Sequence, residues 1–297
     1  MPTASGRRAA SPSPPPPPVG PLTPHLYAPT PERPVRAKAH RLSAETRVLA
    51  HTHPWGQLTF SASGVLRVSA GRTTCLVPPS RAVWIPPGLE HAITVVEDAD
   101  MRTVYFLPRG ERSVPLAPGA PRALALDDHS GWQCCRVLEV SDLLRVLVLE
   151  LDTRPDDEGF PEPHALERER LLSALVCDEL LRARPVRLGV DMPGDKRLRA
   201  LCEAVWASPA RHETLEAWAR QVGASPRTVA RLFRQELGVT FGQWRQQVLL
   251  AQALALAARR LPMAHIAAEL GYASPSAFSA MVRRAVGEPP SRFFSTA

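Results

Sequence analysis

Ala224-Ser-Pro-Arg-Thr-Val-Ala-Arg-Leu-Phe-Arg-Gln-Glu-Leu-Gly238 returns, without a gap, as Ala273-Ser-Pro-Ser-Ala-Phe-Ser-Ala-Met-Val-Arg-Arg-Ala-Val-Gly287, 49 residues further on. Both copies open on Ser-Pro. Ser225 and Ser274 suit an N-cap, whose hydroxyl accepts from an unpaired backbone N–H, and Pro226 and Pro275 suit the first helical position, where no N–H is needed. Both copies close on a glycine, Gly238 or Gly287, which tolerates the left-handed backbone that stops a helix. Between these signals, Val229, Leu232 and Phe233 mark one apolar helical face, and Phe278, Met281 and Val282 mark its counterpart. The other face carries Arg227, Arg231 and Arg234 in the first copy and Ser276, Ser279, Arg283 and Arg284 in the second.

Working outward, a short apolar segment and a glycine precede each copy: Leu215 to Gly223, and Ile266 to Gly271. Helix, glycine-bearing turn, then a helix with a polar outer face is the helix-turn-helix arrangement. The segment Phe241 to Arg260 joins the two units. It is rich in Ala, Leu and Gln and free of proline, which predicts one long helix ending before Pro262.

The doubled Ser-Pro helix, the linking helix, the Ile-Ala-x-Glu-Leu-Gly-Tyr run from Ile266 and the Gly-x-Pro-Pro-Ser-Arg-Phe ending from Gly287 resemble the AraC-type family of bacterial transcription regulators. The resemblance covers about the last hundred residues. It implies that both units of one chain enter successive major grooves on one face of double-stranded DNA, grooves about 34 Å apart. It also implies that Arg227 and Arg231 read bases. Arginine is the side chain best matched to guanine O6 and N7. The equivalent positions of the second helix are Ser276 and Ala280, which offer less. Arg234, Arg283 and Arg284 are better placed for phosphates. With Thr228 and Ser279, these residues make up the expected DNA-contacting set.

Charge points the same way. Residues 195–297 hold 14 Lys+Arg against 7 Asp+Glu, whereas residues 1–194 hold 22 of each, so the whole basic excess of +7 lies with the repeated helices. That asymmetry is the footprint of a polyanion partner.

The rest of the chain reads as follows. Residues 1–39 contain 12 of the 32 prolines and are expected to be a disordered, proline-rich tail. Arg7 and Arg8 are followed by prolines and not by an apolar segment, so no secretory signal is read there, and no apolar run is long enough for a membrane span. Five cysteines without Cys-x-x-Cys spacing suggest reduced thiols in the cytoplasm, with Cys134-Cys135 expected as a buried pair in a strand.

From His40 the texture becomes short alternating segments: 58–63, 65–69, 73–77, 82–85, 92–96 and 101–106, separated by Gly64, Gly71, Pro78-Pro79 and Pro86-Pro87-Gly88. This predicts a small antiparallel barrel or jelly roll over residues 40–140. His51-x-His53-x-x-x-Gln57 with Gly64, then Pro86-x-Gly88-x-x-His91, resemble the two cupin motifs. Gln57 stands where that pattern usually has glutamate, and Val95 where asparagine is common. Three imidazoles and an amide oxygen are a donor set for a first-row divalent ion, which makes His51, His53 and His91 the metal-ligand candidates. The alternative is that they line a pocket or pack in the barrel without metal. Trp55 and Trp84 are expected either to wall the same small-molecule pocket or to be plain core.

Residues 141–184 carry two helices, the first with Ser141 as a candidate cap, expected to pack on the barrel or to pair with a second copy. Residues 185–194 read as the interdomain linker. The fold expectation is thus α+β in two domains: a cupin-like antiparallel β-barrel, then an all-α domain with two helix-turn-helix units in residues 195–297. The functional expectation is a ligand-responsive transcription regulator and not an enzyme. Its partners would be DNA, a small-molecule effector and a second copy, with RNA polymerase a further candidate. The rival is a cupin metalloenzyme, a dioxygenase or isomerase with a helical appendage. A third reading makes the histidines a metal sensor.

Overall fold

Strands form where β-branched and small residues alternate between turn residues, and they assemble into two facing antiparallel sheets. The computed structural model describes residues 17–21, 24–108, 132–186, 189–211, 214–287 and 289–294. One sheet has the order β1-β8-β3-β6-β9-β10, built from β1 (Val35–Leu42), β8 (Ala99–Phe106), β3 (Gly56–Ser63), β6 (Arg81–Ile85), β9 (Arg136–Glu139) and β10 (Pro185–Val186). The other has the order β11-β5-β4-β7-β2, built from β11 (Val190–Asp191), β5 (Thr73–Val77), β4 (Leu66–Ala70), β7 (His91–Val95) and β2 (Arg47–His51). The inner core holds Val83, Ile85 and Met101 from the first sheet and Val48, Leu66, Val68, Val77, Ile93 and Val95 from the second. Gly64, at φ 73°, is required at the β3–β4 turn, where a Cβ would run into the Asp98 carbonyl oxygen.

Register sorts each strand of the first sheet into two faces. Trp84, Leu58 and Val104 form one cross-strand row, as do Ala82, Phe60 and Leu138 in part, and this outer face packs under α1 (Asp142–Glu150) and α2 (Pro163–Arg182). Lys38, Thr103, Thr59 and Val83 form a row on the inner face. The Ser141 hydroxyl accepts from the Leu144 N–H at 3.0 Å and starts α1 as its sequence suggests.

The helical domain consists of α3 (Lys196–Ala207), α4 (Leu215–Gln221), α5 (Pro226–Leu232), α6 (Phe241–Ala258), α7 (Met263–Glu269), α8 (Pro275–Val286) and α9 (Pro290–Phe293). The long helix α6 is buried nearly all round, which suits a central element. Trp244, Val248 and Ala251 face the first unit, and Leu250, Ala253 and Leu254 the second. A capping box at Thr240 and Gln243 satisfies its first turn.

Several boundaries differ from the sequence expectation. The fold begins within the expected proline-rich tail: β1 starts at Val35, Pro24–Tyr27 forms a helical turn, and Val19 bridges Val48. The alternation of Val35, Ala37 and Ala39 was hidden by the proline content around it. Residues 1–16 lie outside the described residues. The expected linker is also partly taken up: β10 extends one sheet beside β9, and β11 extends the other beside β5. Cys134-Cys135 is no buried strand pair, because it precedes β9 with Cys134 exposed and Cys135 half-buried.

Candidate functional site

In the first unit, the Ser225 hydroxyl accepts from the Thr228 N–H at 3.1 Å and lies 2.8 Å from the Thr228 hydroxyl. In the second, the Ser274 hydroxyl accepts from the Ala277 N–H at 3.2 Å. The turns before these helices hold Gly223 and Gly271 in left-handed geometry, and Gly238 and Gly287 end the repeats in the same way. This shared framework presents Arg227, Arg231 and Arg234 to solvent, and likewise Ser276, Ala280, Arg283 and Arg284. Ser279 and Thr228 are half-buried, and the Thr228 hydroxyl is engaged by the cap. Arg231 Nη1 donates to Gln235 Oε1 at 2.6 Å, which holds the guanidinium along the helix surface. No sequence signal announced the wider, π-type turn over Phe233–Leu237 that follows α5.

That turn meets the sheet domain. The Glu236 carboxylate accepts from the backbone N–H of Gly194 at 2.6 Å and of Asp195 at 3.2 Å. Arg72, at the β4–β5 hairpin, donates to the Glu236 carbonyl at 2.9 Å. Nearby, Trp244 Nε1 donates to the Asp191 carbonyl at 2.8 Å, and Arg259 pairs with Glu97 at 3.1 Å.

In the sheet domain, His51, His53, Gln57, Trp55 and His91 come together. His51 and His91 are cross-strand partners on β2 and β7. His53 follows β2, and its carbonyl accepts from the Gly88 N–H at 2.9 Å, which ties the two sequence motifs to each other. The ligand-capable ring nitrogens of the three histidines lie within 4.8 Å of one another. Trp55 stacks on His53 with ring centroids 5.2 Å apart and planes 7° apart, and Tyr105 closes on both rings. Burial holds the imidazoles of His53 and His91 below their ordinary range, His91 down to about 4, so both are neutral at pH 7.

Trp84 is not part of this cluster. Its ring packs against Phe106 and Trp132 on the outer face, and its Nε1 donates to the Trp132 carbonyl at 2.7 Å. Every residue of β6 is buried, so no apolar–polar alternation marks which face each side chain takes. Conversely, Lys38 lies outside the expected site because β1 begins within the stretch expected to be tail. Its ammonium sits 5.3 Å from the Tyr27 ring, on the inner-face row with Thr59 and Thr103, and burial lowers its pKa to about 8.

Among the described residues, no helix is long and apolar enough to cross a membrane. Residues 43–183 match the family described as an AraC-like ligand binding domain, and residues 218–296 match that of a helix-turn-helix domain. The chain is 29% identical over 245 residues to the HTH-type transcriptional regulator NimR of Escherichia coli (strain K12), covering 82% of this chain and 81% of that protein. It is 30% identical over 243 residues to the arabinose operon regulatory protein of Salmonella typhimurium, covering 80% of this chain and 81% of that one. Among solved structures, ToxT from Vibrio cholerae O395 aligns over 89% of this chain and 98% of its own, at 11% identity and a TM-score of 0.35. The NimR and arabinose-operon proteins are regulators by name, and with these matches the rival reading as a cupin enzyme falls away. The chain belongs to the AraC-type family of transcription regulators, with an N-terminal ligand-binding domain and a C-terminal helix-turn-helix domain that binds DNA.

Proposed function

We propose that residues 195–297 grip two successive major grooves, that Arg227 and Arg231 read base edges in the first, and that the histidine-lined end of the sheet domain takes the effector. The observation that carries this reading is the pair of serine-capped helices, each with an exposed polar face, in the part of the chain that holds the whole basic excess. Ser276 and Ala280 give the second helix little to offer a base edge, so shape and phosphate contacts from Arg283 and Arg284 dominate there. Thr228 and Ser279 support the two surfaces from their half-buried positions.

The effector signal has a short route. The first recognition helix leads into Glu236, which is held by Arg72 of the sheet domain and by the backbone at Gly194 and Asp195. Leu143 and Val146 of α1 and Leu171 and Leu175 of α2 are large apolar side chains left exposed on the two helices that cover the sheet. They are the surface for a homodimer, which would place four recognition helices on one operator. Such a regulator acts in the cytoplasm and, from a promoter, within reach of RNA polymerase.

Footprinting of genomic DNA by the full chain tests the reading. Protection of two adjacent major grooves is expected. Binding should also weaken steeply with salt, by about 0.9 in log–log slope per phosphate neutralised. Absence of protection, or salt-independent binding, would overturn it.

A further inference from the structure

We propose that His51, His53 and His91 form a binding site for one divalent first-row transition ion, of the zinc class, with an open coordination position that admits an anionic ligand. The inference rests on the reading of this end of the sheet domain as the effector site, and it names the chemistry of that site.

The argument begins with the ring nitrogens that are already used. His51 Nδ1 lies 2.9 Å from the Leu49 carbonyl, His53 Nδ1 lies 2.8 Å from the Trp55 carbonyl, and His91 Nδ1 lies 2.9 Å from the Leu89 carbonyl. A carbonyl oxygen can only accept, so each Nδ1 carries the proton and donates. In a neutral imidazole the Nε2 lone pair is then bare. Donation of the far ring nitrogen to a backbone carbonyl is how proteins orient imidazoles toward a metal. Here three rings out of three are set that way.

Two of these bare atoms are poorly satisfied. His91 is 1% exposed, and its Nε2 has no hydrogen-bond partner. His53 Nε2 lies 2.8 Å from Gln57 Oε1, while the other end of that amide donates to the Thr59 hydroxyl at 2.8 Å. With the proton on Nδ1, this contact sets two acceptors against each other. A shared cation removes the conflict, as does rotation of the amide. Three ligand nitrogens at about 2.0–2.1 Å from a metal stand about 3.3 Å apart, so rings whose ligating atoms lie within 4.8 Å need only close by tilting. His51 is half-buried on β2, the edge strand of its sheet, which provides the way in.

Charge defines what completes the shell. Three neutral imidazoles leave both charges of the ion uncompensated, and Gln57 adds an oxygen without charge. The ionisable groups on the adjoining inner-face rows are Lys38, the Tyr105 phenol, which burial keeps protonated, and Arg36, which is already paired with Asp156 at 2.7 Å; none is a carboxylate. A carboxylate or similar oxyanion is the donor that this set lacks.

The test is titration of the full, metal-stripped chain with Zn2+ and with Co2+, followed by calorimetry and by visible absorption of the cobalt form. One ion per chain is expected. His91→Ala and His53→Gln should each weaken it by more than ~100-fold, beyond the ~10–100-fold that loss of an outer partner costs. Azide, as probe anion, should shift the cobalt bands. X-ray absorption of the zinc-loaded natural chain should count three imidazoles, a readout that survives should either variant fail to fold. No binding, fewer imidazoles, or undiminished affinity in a folded variant would overturn the site, and cobalt bands indifferent to azide would overturn its open position. A chain that protects DNA but takes up no ion loses this inference and keeps the regulator reading. A chain that takes up the ion at these histidines but protects no DNA does the reverse.

Discussion

The first recognition helix, α5, stops after 7 residues and passes into a wider turn over Phe233–Leu237, whereas α8 runs regularly for 12 residues over the equivalent stretch. Both helices start on a serine N-cap, and both repeats end on a left-handed glycine, so the main difference lies in what occupies the shared frame. Glu236 sits in the wide turn and accepts from Gly194 and Asp195, and its counterpart in the second copy is the exposed Ala285. Arg227 and Arg231 of the first unit stand where the second has Ser276 and Ala280, while Arg234 is matched by Arg283. On the proposed reading, the unit with the stronger means of reading sequence is therefore the one that Glu236 and Arg72 latch to the ligand-binding domain. The other lacks the glutamate of that latch and would be the less selective grip.

Packing supplies the largest expected contrast. Phe233 lies late in the first copy, against Phe241 and Trp244, while the second copy places its ring early, at Phe278, against Tyr272 and Phe294. At the swapped positions stand Val229 and Val282, equally buried. Truncation of either ring to alanine, Phe233→Ala or Phe278→Ala, should cost about 3–5 kcal/mol. Val229→Ala and Val282→Ala remove far less apolar surface and should cost roughly 2 kcal/mol. Urea unfolding of the full chain measures all four. A valine variant as damaging as its phenylalanine partner would show that the two cores are not the mirror arrangement described here.

The parts of this comparison that were legible in the sequence are local. Ser-Pro starts, glycine stops and a helical apolar face depend on a few neighbouring residues, so both units could be read without knowledge of their surroundings. What was not legible depended on distant pairing. Strand β1 was obscured by prolines, and β10 and β11 exist only because sheet edges were there to receive two residues each. The side of the sheet on which Trp84 lies could not be read from a strand buried on both faces. The histidine cluster was legible as spacing, but its set of Nδ1 donors to backbone carbonyls was not, since Leu49, Trp55 and Leu89 carry no mark of that role.

DNA binding separates the units at the next level. Arg231→Ala removes a side chain able to donate two hydrogen bonds to one guanine, a pairing worth about 1–3 kcal/mol of discrimination. Specific affinity should fall by about tenfold or more, with preference relaxed in one half of the operator. Ser276→Ala removes a single hydroxyl and should cost much less. Competition against a randomised operator distinguishes these outcomes. A more stringent half-site under the Ser276 helix would reverse the assignment of roles.

The smallest expected difference is in the caps. Ser225 engages both the N–H and the hydroxyl of Thr228, at 3.1 and 2.8 Å, while Ser274 engages only the Ala277 N–H, at 3.2 Å. Loss of an N-cap hydroxyl costs about 0.5–2 kcal/mol, because it leaves a first-turn N–H without its acceptor. Ser225→Ala should fall in the upper half of that range, since it also releases the Thr228 hydroxyl, and Ser274→Ala in the lower half. A threonine at either position keeps the oxygen and should restore most of the loss. The denaturation midpoint of the full chain, with unchanged slope, reports the stability change. If the two alanine variants lose equal stability, the hydroxyl pair at Ser225 and Thr228 adds nothing to the cap, and the two helix starts are energetically the same.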